Sequence, residues 1–102
     1  MVYNKLVRDR IPEIIEKQGK TAQIRILEGA EYTHYLEQKL DEEVNEFHKD
    51  KNPEELADIL EVVYALAENL GYSKDTLMEI YQKKHDARGG FAERILLISN
   101  DG

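Results

Sequence analysis

The stretch "LDEEVNEF", Leu40–Phe47, and the stretch "EELADILEVV", Glu54–Val63, decide how this chain folds. Around the first, Leu36, Leu40, Val44 and Phe47 recur at three- and four-residue steps, one face of a helix turning about 100° per residue. Around the second, Leu56, Ile59, Leu60, Val63, Leu66, Ala67 and Leu70 do the same. Both helices edge that apolar stripe with acids, Glu43 and Glu46 on the first, Glu55 and Asp58 on the second. Glu42 falls on the opposite side of its helix, and Glu54, Glu61 and Glu68 run down the far flank of theirs.

Working outward, "KDKNP" breaks the first long helix, and Asn52 with Pro53 caps and starts the second, which runs to Leu70 and ends at Gly71. Ser73 caps a third helix, "KDTLMEIYQKKHDAR", closed by Gly89 and Gly90. Upstream, Pro12 in a first turn and the run Ile11, Ile14, Ile15 predict a short helix from Ile11 to Gln18, closed by Gly19. "TAQIRILE", Thr21–Glu28, alternates Ala22, Ile24 and Ile26 against Gln23 and Arg25, the period of a half-buried strand. "RILLIS", Arg94–Ser99, is its candidate partner, although a lone ribbon needs helices packed on it to be stable. The expectation is a mainly all-α protein: an antiparallel bundle of three main helices, a short N-terminal helix, and a small two-stranded ribbon pairing 22–27 with 94–99.

Composition narrows the partners. A chain of 102 residues and 11.9 kDa fits one domain, 1–102, and buries a limited core unless it pairs with copies of itself. The net charge of -7 argues against a nucleic acid polymer, whose binding rests on clustered Lys and Arg. Zero cysteines remove disulfides and thiolate metal sites. The opening "MVYNKLVRDRIPEII" lacks the apolar core of a secretory signal, and no window is apolar enough for a bilayer, so a cytoplasmic protein with no membrane partner is expected.

The acids set the chemistry. Residues three apart on a helix stand roughly 5 to 6 Å apart at Cβ, so two such carboxylates can share one cation. Antiparallel packing across the short "HKDKNPE" connection turns Glu43 and Glu46 toward Glu55 and Asp58. An oxygen-only donor set selects hard cations, Mg²⁺ or Mn²⁺, over Zn²⁺. The plain alternative is a solvated face pairing with Lys39, Lys49 and Lys51. On the third helix the apolar line Leu77, Ile80, Tyr81 continues at the same angle into Lys84 and Arg88. With Lys5, Arg8 and Arg10 these offer positive charge to the non-metal side of a polyphosphate. Lys83 is explained by the helix dipole alone, and Phe91, after two glycines, either stacks on a base or fills the core.

"EEVNE", Glu42–Glu46, followed by "ELAD", Glu55–Asp58, resembles the E-E-x-x-E and E-x-x-D signature of the MazG-like, all-α nucleoside triphosphate pyrophosphohydrolases. "YNKLVRDRIPEII" and "KKHDARGGF" look like the flanks of a subgroup labelled phosphoribosyl-ATP pyrophosphohydrolase-like. The resemblance implies a Mg²⁺-dependent hydrolase that splits a nucleotide between its α and β phosphates. It implies Glu43, Glu46, Glu55 and Asp58 as metal ligands, Glu42 as an acid that positions water, and Glu42, Glu43 and Glu46 together as the catalytic acids. Lys84 and Arg88 look like phosphate contacts, beside Lys5, Arg8 and Phe91 as nucleotide contacts. It also implies a homodimer or homotetramer, in keeping with the apolar or small residues nearly all round the second long helix, such as Val62, Tyr64 and Ala65. The gap between Glu46 and Glu55 is shorter than the usual family spacing. Two other functions stay open: the phosphoribosyl-ATP step of histidine synthesis, and a non-catalytic helical module that oligomerises or binds nucleotide.

Overall fold

A computed structural model describes residues 3–102. Four helices follow one another: α1 (Ile11–Lys17), α2 (Gly29–Asp50), α3 (Pro53–Asn69) and α4 (Lys74–Arg88). Each boundary has a local cause. α1 takes Pro12 in its first turn and gives way to Gly19 at φ +81°. α2 stops where Lys51 turns left-handed at φ 50°. Asn52 Oδ1 then accepts from the Glu55 N–H at 3.0 Å, and Ser73 Oγ from the Thr76 N–H at 3.1 Å, so α3 and α4 start on satisfied donors.

α2 packs on α3, and α4 on α3 alone. The first pair is antiparallel, because the end of α3 returns to the start of α2, where Asn69 Nδ2 donates to Thr33 Oγ1 at 2.8 Å. The core sits between these two helices: Leu36 is 2% exposed, and Val62 and Ala67 are each 7% exposed. Lys74 Nζ lies 4.5 Å above the Tyr64 ring, and the Tyr64 hydroxyl donates to Met78 Sδ at 3.9 Å, which ties the first turns of α4 to α3. Beyond Met78 every residue of α4 is exposed. The molecule is drawn out, with a radius of gyration of 17.9 Å, where a compact chain of this length has about 13 Å.

Two expectations fail. The described residues contain no strand, so the ribbon of 22–27 with 94–99 does not form. A ribbon needs a surface to cover its apolar side, and neither segment meets one. Of the expected inward residues Ile24 and Ile26 are exposed and only Ala22 is half-buried, as is Leu27 outside that set. Arg25 instead grips Glu31 through both guanidinium nitrogens, at 2.7 and 2.9 Å. The second failure concerns α3. Of its expected stripe Ala67 is buried and Ile59, Val63 and Leu66 are half-buried, but Leu56, Leu60 and Leu70 are exposed. α3 turns its Val62 side into the core, because a helix apolar nearly all round carries no pattern that says which side its neighbour takes.

Candidate metal centre

The antiparallel crossing of α2 and α3 sets the end of one helix beside the start of the other, and the acids meet there. Their oxygens form two groups. Glu43, Glu55 and Asp58 offer ligand atoms within 4.8 Å of one another, and so do Glu46, Asp50 and Glu55. The four expected ligands therefore do not share one point: Glu43 and Glu46 fall in separate triads joined by Glu55. Asp50 is the residue that sequence reading missed. It stands four residues after Glu46 on the same face, inside the "KDKNP" run taken only as a helix breaker.

The electrostatics follow from this crowding. Partial burial pushes the Glu55 carboxyl up, and the charges of Asp50, Asp58, Glu46 and Glu43 push the same way. Glu42 goes the other way. Burial raises its carboxyl, but the Lys5 hydrogen bond at 3.0 Å and the charges of Lys39 and Lys5 outweigh it and hold the net value low. Lys39 Nζ reaches Glu42 at 3.6 Å and Glu43 at 3.3 Å, so the reading of these acids as a lysine-paired face is met at Lys39. Lys5 is correspondingly raised, by its hydrogen bond to Glu42 and then by that group's charge.

The expected phosphate contacts divide by helix. Arg8 Nη2 donates to Asp58 Oδ1 at 2.6 Å, and Lys5 lies on Glu42, so both N-terminal cations sit on the acids. Beside them an open polar concavity is lined by Asn4, Lys5, Gln38, Glu42, Asn45 and Glu46. Lys84, Arg88 and Phe91 are exposed on or beyond the free half of α4, which does not touch α2. Phe91 is 96% exposed, which corrects its reading as a core residue: no helix reaches the turn after Gly90 to cover it.

The donor set suits a hard divalent cation. All ligand atoms are carboxylate oxygens.

No family model matches the chain, and no solved structure matches it. An uncharacterized protein of Mycolicibacterium smegmatis is 58% identical over 41 residues, which make up 40% of this chain and 42% of that protein. The chain thus spans less than half the length of the relative it matches. No helix among the described residues is long and apolar enough to cross a membrane.

Proposed function

We propose that this chain is a Mg²⁺-dependent nucleoside triphosphate pyrophosphohydrolase of the MazG-like kind. It cleaves between the α and β phosphates to give a nucleoside monophosphate and pyrophosphate, and it serves nucleotide-pool housekeeping in the cytoplasm. Mn²⁺ is the alternative ion. The single observation that supports this reading is the sharing of Glu55 between two carboxylate triads at the crossing of α2 and α3. Here five carboxylates gather, and Glu55 is pushed up, first by burial and then by the charges of its neighbours.

In this reading Glu43, Glu55 and Asp58 hold the ion, and Glu46 with Asp50 offers a second position around the same Glu55. A bound divalent ion supplies charge neutralisation for the phosphates and acidifies water. Glu42, kept ionised by Lys5 and Lys39, is a poor proton acceptor but a good hydrogen-bond acceptor, which suits it to orient the attacking water. Arg8 and Lys5 exchange their carboxylates for phosphate oxygens as the nucleotide arrives, Arg8 through two guanidinium donors and Lys5 as a point charge. Lys84, Arg88 and Phe91 join the site through assembly into a dimer or tetramer, since α4 stays clear of α2 within one chain.

A panel of nucleoside triphosphates and phosphoribosyl-ATP with Mg²⁺, scored separately for pyrophosphate and orthophosphate, tests this. Pyrophosphate is expected from the triphosphates. Glu43→Gln and Asp58→Asn should each lower its release by more than about 100-fold, the upper end of what loss of a merely supporting group costs. Turnover of phosphoribosyl-ATP alone would assign the histidine-synthesis step instead. Release of orthophosphate alone means that the scissile bond is misassigned; no turnover by a protein whose helices are intact refutes the hydrolase. The second outcome leaves the non-catalytic module, favoured by the ion pairs of Lys5, Arg8 and Lys39 that already answer three of the acids.

A further inference from the structure

Outside the acidic centre, two stretches of bare apolar surface stand out among the described residues. One is a trough between α3 and the start of α4, lined by Val63, Leu66, Leu70, Tyr72, Leu77 and Ile80, with no charged residue in it. The other is the segment after α4. Ile95, Leu96, Leu97 and Ile98 are consecutive and between 74% and 89% exposed, behind an equally bare Phe91. Four such residues in a row facing water are out of place on a finished surface.

The areas say how much covering is needed. The chain exposes 9257 Å², where a folded monomer of its mass exposes about 5,900 Å². The excess, about 3,300 Å², is several times the roughly 800 Å² that each partner gives to an ordinary stable interface. Residues Gly90–Ser99 span about 33 Å when extended, while α4 is about 22 Å long. The segment therefore reaches past its own helix. Gly89, at φ +77°, supplies the pivot.

We infer that the C-terminal segment Phe91–Ser99 is an exchange arm that seats Ile95–Ile98 in the α3–α4 trough of a second copy of this chain. Reciprocal seating is closed by a two-fold axis, so it yields a dimer rather than a filament. It covers at one stroke both the trough and the bare C-terminal segment. The inference does not rest on the hydrolase reading, and its test needs neither nucleotide nor metal.

The chain has no cysteine, so introduced ones report cleanly. Ile80→Cys protein mixed with Leu97→Cys protein should form a disulfide-linked pair under mild oxidation. Light scattering should give the full chain twice its own mass. Leu96→Asp/Ile98→Asp, and separately a chain stopped after Glu93, should weaken self-association by at least about 100-fold, from two side chains no longer buried, with the helical circular dichroism unchanged. Linkage found only within single Ile80→Cys/Leu97→Cys molecules would show the arm folding back on its own trough, and overturns the proposal. A single-chain mass for the full protein overturns it too, as does a dimer that survives both arm variants, which would be held by helix faces alone.

Discussion

Arg8 Nη2 lies 2.6 Å from Asp58 Oδ1, fifty residues along the chain, so a cation of the N-terminal segment sits on a carboxylate of the candidate metal centre. Both partners are about half exposed, 54% and 40%, which limits the pair to about 0.5 kcal/mol. Its interest is competition rather than strength. Arg8→Ala should lower the thermal midpoint of the metal-free protein slightly and enlarge the rise on adding Mg²⁺, because Asp58 no longer has to be freed. Paired melts with and without Mg²⁺ check this; an unchanged or smaller metal-induced rise counts against it.

Glu55 is where stability and ion binding pull apart. Burial and the charges of Asp50, Asp58, Glu46 and Glu43 all penalise its charged form. Glu55→Gln should therefore raise the melting temperature of the metal-free protein while abolishing its response to Mg²⁺ and Mn²⁺. Calorimetric titration of the variant with both ions reads the loss directly. Residual binding at the parent affinity would move the site away from Glu55.

The pH response has a different sign at each group. The Glu42 carboxyl is held below its ordinary value of 4.5, so its contribution is present above that value and lost as pH falls through the lowered one. Lys5 is raised above 10.5, so its share is present below that value and lost as pH rises through the raised one. Glu55, raised above 4.5, does the opposite of Glu42: the fold gains as pH falls through the raised value. Lys5→Ala should flatten the loss on the acid side, since Glu42 then approaches its ordinary value, and should remove the lysine's share of the alkaline loss. Denaturant melts across the pH range, on parent and variant, give the comparison.

Packing and capping make a matched pair of tests. Leu36 is 2% exposed between α2 and α3, so Leu36→Ala should cost about 3 kcal/mol through lost burial and the cavity left behind. Asn52→Ala removes the acceptor for the Glu55 N–H and should cost about 1 kcal/mol. Leu60→Ala, at a position 47% exposed in one chain, should cost well under 1 kcal/mol in a monomeric background. Urea midpoints at constant slope supply the values.

What the sequence by itself determined is local. The three- and four-residue recurrence from Leu36 to Phe47, the caps Asn52 and Ser73, and Pro12 and Pro53 in first turns are short-range signals. They placed α1, α3, α4 and the end of α2 to within a residue or two, because capping and periodicity act over a single turn. The pairing of acids at i,i+3 was legible for the same reason.

Only the tertiary structure decided the rest. It turned the Val62 side of α3 inward and left Leu56 and Leu60 bare, a choice between apolar faces that its neighbours α2 and α4 make. It split the four expected ligands into two triads and brought in Asp50, since which oxygens meet depends on the crossing of α2 and α3 and not on spacing within either. It put Lys5 and Arg8 on carboxylates across long stretches of chain. It also left Thr21–Glu28, whose alternation reads as strand, and its candidate partner Arg94–Ser99 unpaired. An alternating pattern states a preference for a pleated, half-covered surface, and that preference is realised only where another surface arrives to cover it.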